Sequence, residues 1–79
     1  MAREQVTEIV AEMVANVMSV AVAPGDQVEA GDTVVLLESM KMEIPVLVEV
    51  PGTVRAVKVG PGDVVQEGDV LVEVSAARD

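Results

Sequence analysis

The chain has 79 residues, a formal net charge of −9, and no cysteine, histidine, phenylalanine, tyrosine or tryptophan. Disulfides, thiolate metal centres, histidine-based catalytic pairs and the commonest metal ligand are therefore excluded. Five basic residues against fourteen acidic ones, with no ring to stack on a base, argue against nucleic acid.

In chain order, Met1-Ala2-Arg3-Glu4-Gln5 lacks the apolar run of a signal peptide. The apolar runs farther on reach about five residues, against the roughly 20 needed to span a bilayer. The expectation is one domain over residues 1–79, core about 8–75, monomeric because of its charge, cytoplasmic, and with no membrane partner. No calcium-loop spacing appears, so no metal is expected.

Valine-rich runs punctuated by Gly, Pro and Asp predict an all-β fold. The expected strands are Val6–Val10, Val17–Val22, Val34–Met40, Met42–Val48, Thr53–Val59 and Val70–Val74, with short bridging strands around Val28 and Val65. Glu8 to Val14 could pass for a short helix, but no cap or glycine stop frames it, so strand is expected there. Val34 to Leu37 is continuously apolar, which predicts burial on both faces or a bulge. Ser75 to Asp79 reads as a short polar tail. With no Pro/Ala-rich tether before Val6, the chain is expected to be free-standing.

An offset of 37 residues aligns the two halves, about 13–38 and 50–75. Pro24-Gly25-Asp26 falls on Pro61-Gly62-Asp63, Gly31-Asp32 on Gly68-Asp69, and Val17, Val20 and Val22 on Val54, Val57 and Val59. Two copies are too few for a solenoid and suit one domain with a pseudo-two-fold axis. The Gly-Asp pairs read as turns: glycine accepts positive φ, and aspartate bonds nearby backbone amides. A phosphate cradle would need a following helix or an adjacent lysine, and neither is present.

Between the halves lies Glu38-Ser39-Met40-Lys41-Met42-Glu43, holding one of only two lysines, the other being Lys58. The flanking strands leave room only for a tight hairpin at Met40-Lys41. Such turns want positive φ, which Met and Lys resist, and broken local rules gather at functional sites. An ordinary solvated turn residue is the plain alternative, but the repeat places this lysine at the connection between halves. With carboxylates as its charged neighbours, nothing in the chain activates this amine. Lys41 thus reads as a position modified by a separate enzyme, and the chain as a carrier with no catalytic residues of its own.

This hexapeptide, flanked by paired Pro-Gly-Asp and Gly-Asp turns, resembles the biotinyl domain of biotin-dependent carboxylases, within the biotinyl/lipoyl attachment family. The resemblance covers roughly Glu8 to Ser75. Two departures stand out: Ser39 replaces the usual alanine, and Ala15-Asn16 replaces a glycine that the second half keeps as Gly52, so the turn before Val17 is expected to differ. The protruding segment of some bacterial carriers is absent. The resemblance implies a flattened β-barrel (a barrel-sandwich hybrid) of two four-stranded sheets. It also implies biotin attached covalently to Lys41 by a biotin protein ligase, and carboxyl transfer between biotin carboxylase and carboxyltransferase subunits. Met40 and Met42 would be recognised by those enzymes, methionine being adaptable, or would simply support the hairpin. Glu38 and Glu43 would orient a partner by charge or solvate the strand ends. The rivals are a lipoyl-type carrier, against which the two methionines speak, and an unmodified acidic β-barrel interaction module, which leaves the pivot lysine unexplained.

Overall fold

The computed structural model describes the backbone of residues 3–78 and the side chains of residues 5–76. Met1, Ala2 and Asp79, on which the readings of the two ends partly rest, lie outside the described residues. The eight strands are β1 (Arg3–Val10), β2 (Ala15–Val20), β3 (Gln27–Val28), β4 (Thr33–Ser39), β5 (Met42–Leu47), β6 (Gly52–Val57), β7 (Val64–Val65) and β8 (Val70–Arg78). They form two four-stranded antiparallel sheets, β1-β8-β6-β3 and β5-β4-β2-β7. No helix occurs among the described residues, and the strand reading of Glu8 to Val14 holds as far as Val10, where β1 ends and the chain bends.

The 37-residue offset carries β2 onto β6 and β3 onto β7 residue for residue, and relates β1 to β5 and β4 to β8. The repeat therefore reaches beyond residues 13–38 and 50–75. The core obeys it too. Among the buried residues Ala11, Val17, Val28, Val34, Val35 and Leu37 have the dyad mates Val48, Val54, Val65, Leu71, Val72 and Val74. Valine and leucine from alternate strand positions fill the interior without an aromatic ring, and no polar side chain is buried among the described residues.

Four bulges repeat in pairs. The register advances by two residues on one strand against one on its partner at Met18 and its mate Arg55, and at Val34 and its mate Leu71. Val34 and Val35 are both fully buried, which accounts for the continuous apolar run.

Each Gly-Asp pair closes a turn of one design. The glycines sit at φ 96, 96, 93 and 93°, and each following aspartate N–H donates to the carbonyl three residues back, at 2.9–3.1 Å. In return, that same earlier residue's N–H donates to the aspartate Oδ2 at 2.8–2.9 Å. Pro24 and Pro61 occupy the position before the glycine, where a type II turn favours proline.

Three expectations are corrected. β2 and β6 stop at Val20 and Val57, two residues early, because the chain leaves the ladder to enter the Pro-Gly-Asp turn; Val22 and Val59 still pack against the core. Residues 75–78 are not a tail but the end of β8, paired with residues 3–6 of β1. Their weak strand propensity is overridden by that pairing. Finally, the turn before Val17 is not altered. Val17 N–H donates to the Asp63 carbonyl at 2.8 Å just as Val54 N–H donates to the Asp26 carbonyl at 2.8 Å. A methyl on Gly52 would lie 2.5 Å from the Ser75 carbonyl oxygen and 2.8 Å from Val74 Cγ1. The mate of Gly52, Ala15, carries that methyl and is buried in the core.

Candidate functional site: the Lys41 hairpin

β4 and β5 are joined by two residues alone, Met40 and Lys41, and the ladder runs up to the pair Ser39 and Met42. Met40 has φ 52° and Lys41 φ 65°, the only non-glycine positive values among the described residues. Positive φ at both central residues is the pattern of a type I′ hairpin, whose twist matches the strands it joins. For residues with a Cβ this region costs roughly 1–2 kcal/mol each. The broken local rule read from the sequence is therefore present in the backbone.

The strain is held from below. Leu37, opposite Ile44, is buried, and Ile44 packs against the core, so the hairpin base is anchored while its tip projects. Met40 is 91% exposed and Met42 65%, and Lys41 is exposed. Among the described residues no hydrogen bond or ion pair restrains the Lys41 ammonium. The offset maps this tip onto the paired chain ends, Arg3 opposite Arg78, so the two lie at opposite ends of the molecule.

Glu38 and Glu43 stand directly opposite each other. In a two-residue hairpin the closing pair exchanges the hydrogen bonds, so this next pair is the close-approaching kind, about 4.5 Å between Cα atoms. Two carboxylates so placed repel and destabilise the ladder slightly. Two pairs farther down, Pro45 faces Leu36. The same alternation points the position of its missing N–H at the open edge of the sheet, where proline is tolerated and blocks further strand pairing.

All five residues singled out from the sequence, Glu38, Met40, Lys41, Met42 and Glu43, thus meet on one projecting hairpin. Ser39 is half-buried beside them. One feature was not anticipated: a groove of about 450 Å³ between the edge strands β1 and β5, whose lining includes Ile9, Val10, Ile44, Val46 and Leu47 together with Glu8, Glu12 and Glu49. Two of its lining residues, the dyad pair Val10 and Leu47, are apolar yet 38% and 48% exposed. No group of three metal-ligating side chains occurs among the described residues. No helix among them is long and apolar enough to cross a membrane. Chemically the site offers one exposed amine on an anchored hairpin, with two facing carboxylates beside it.

A family model described as "Biotin-requiring enzyme" matches residues 5–74. The chain is 65% identical over 40 residues to the "Biotinylated protein TB7.3" of Mycobacterium tuberculosis, a stretch covering 51% of this chain and 56% of that protein. The chain therefore spans about half the length of the curated relatives it matches. Among solved structures it resembles the urea carboxylase of Kluyveromyces lactis, with a TM-score of 0.83 and 31% identity over 89% of this chain and 6% of that one. It also resembles the lipoyl domain of the 2-oxoglutarate dehydrogenase complex of Azotobacter vinelandii, at a TM-score of 0.67 and 26% identity over 77% of each chain. With the family model covering nearly the whole chain, and two symmetric sheets presenting a lysine on a two-residue turn, the protein belongs to the biotinyl/lipoyl attachment family.

Proposed function

We propose that the chain is a biotin carrier, acylated on Lys41, and not a catalyst. The observation that carries this reading is the hairpin tip. A lysine between two exposed methionines is held at φ 65° in a turn that glycine or asparagine would fill at lower cost. Nothing packs over the amine, so an amide-linked group fits there without displacing any part of the fold.

In this reading a biotin protein ligase removes a proton from Lys41. Nζ then attacks the acyl carbon of an adenylated biotin, forming an amide and releasing AMP. The chain becomes more acidic by one charge. Bound biotin supplies a ureido nitrogen able to accept and release a carboxyl group. The anchored hairpin presents it alternately to a biotin carboxylase and a carboxyltransferase, in the cytoplasm, and tethering raises its effective concentration at both. Met40 and Met42 give those enzymes an adaptable apolar contact, and Glu38 and Glu43 orient the approach by charge.

The test is a direct competition. The purified chain is incubated with biotin ligase, biotin and ATP, and separately with lipoate ligase, lipoate and ATP. Incorporation of biotin alone is expected. Incorporation of lipoate alone would replace this reading with the lipoyl carrier, and incorporation of neither would leave an interaction module.

A further inference from the structure

The pseudo-two-fold axis makes the molecule its own control. Each residue on the outer face of one sheet has a mate, 37 positions away, on the outer face of the other, in the same backbone geometry. Leu36 stands where the other half has Glu73, Met18 where it has Arg55, Pro45 where it has Glu8, and Val64 where it has Gln27. In all four pairs the apolar member lies on β5-β4-β2-β7, the sheet that carries the Lys41 hairpin.

Pro45, Leu36 and Met18 are neighbours along the ladder, with Ser19 beside them, and Val64 lies beyond Asn16 on the same face. Pro45 is opposite Leu36, Leu36 is opposite Ser19, Met18 is the bulged residue beside Ser19, and Asn16, two residues before Met18, is opposite Val64. Val64 is 66% exposed and Met18 39%, Pro45 is exposed, and Leu36 is half-buried. Exchanges in the other direction are Val6 for Glu43, Ala56 for Ser19 and Val70 for Thr33. The first of these places acid, not oil, next to the hairpin. Because the fold accommodates Glu, Arg, Glu and Gln at the four mates, folding does not require apolar side chains there. Apolar side chains grouped on one face, where folding does not demand them, mark a contact surface.

We propose that this outer face, centred on Leu36 and Met18, is the docking surface for the enzyme that acylates Lys41. That enzyme would meet it with an apolar centre and a cationic border facing Glu38 and Glu43. The inference rests on the carrier reading above. Two arguments select this occupant. An enzyme that reaches Nζ must touch the tip, yet a specific interface covers about 800 Å² per partner, far more than a two-residue turn offers. Contact must continue down one side of the hairpin, and the Leu36–Pro45 pair begins about 10 Å below the closing pair. A second copy of this chain is disfavoured, since a symmetric contact would bring two acidic rows and two charges of −9 together.

The test exchanges dyad mates. M18R/L36E gives the hairpin sheet the residues its mate already carries, without changing net charge; R55M/E73L makes the converse change on the far sheet. Ligase kinetics are measured on native and variant chains, with urea midpoints as a fold check and sedimentation for oligomeric state. M18R/L36E is expected to raise KM at least tenfold with kcat unchanged, and R55M/E73L to leave both unchanged. Should M18R/L36E not fold, V64Q, which adopts the residue of Gln27, is expected to raise KM by a smaller factor. An unchanged KM in the folded variant, or equal effects on the two sheets, would overturn the proposal. So would a native dimer that the exchange makes monomeric, which would assign the face to a second copy. Absence of acylation on the native chain would instead overturn the carrier reading itself.

Discussion

Replacing the hairpin tip by the residues its backbone prefers, Met40→Asn with Lys41→Gly, should stabilise the fold while destroying its acceptor. Met40 and Lys41 sit at φ 52° and 65°, a region that costs a residue with a Cβ roughly 1–2 kcal/mol. Both side chains are exposed, Met40 at 91%, so their loss removes almost no buried apolar area. Asparagine relieves part of the cost and glycine nearly all of it, but glycine gives back roughly 0.5–1 kcal/mol through the freedom it adds to the unfolded chain. The net gain is about 1–2 kcal/mol. For a domain of this size 1 kcal/mol moves Tm by roughly 4–8 °C, so a rise of about 5–15 °C is expected. The assay is urea unfolding followed by far-ultraviolet circular dichroism. The midpoint should rise with the m-value unchanged, because the surface exposed on unfolding stays the same. An unchanged or lowered midpoint would refute the argument that the turn stores strain, and with it the physical reason for singling out this lysine.

Four further outcomes follow from the same geometry. Gly52→Ala should cost about 1–3 kcal/mol in urea unfolding, since its methyl would press on the Ser75 carbonyl and Val74 Cγ1. Asp63→Ala should cost about 0.5–1.5 kcal/mol by removing the acceptor for Gly60 N–H at 2.8 Å. Glu43→Gln should gain about 0.2–1 kcal/mol by relieving repulsion from Glu38, and the gain should shrink as salt is raised. Leu37→Ala, which empties the anchor beneath the hairpin, should cost about 2–5 kcal/mol and lower the Tm accordingly.

Much of this was legible in the sequence because each local signal agreed with the repeat. The valine runs, the four Gly-Asp turns and the bridging positions Val28 and Val65 gave the eight strands nearly in place. The Met40-Lys41 turn was legible as a contradiction: two strands too close for a loop, joined by residues unsuited to a turn. What escaped depended on pairing between distant segments. Ser75 to Arg78 carry no strand signal of their own and become strand only against β1. The groove between β1 and β5 exists because two sheet edges face each other, which no local pattern encodes. Glu38 and Glu43 looked like two neighbours of a lysine, and only the register sets them opposite one another. The apolar face is an intermediate case. Its four exchanges are visible once the halves are aligned, but the shared outer face of residues 18, 36, 45 and 64 appears only with the strand order.

The central claim is that Lys41 is the acceptor, and intact mass after co-expression with a biotin ligase tests it most directly. The native chain and Lys58→Arg should each gain the mass of one biotinyl group, and Lys41→Arg should gain none while keeping the native urea midpoint. A folded Lys41→Arg chain that still gains a biotinyl group, or a folded native chain that gains none, would contradict the account.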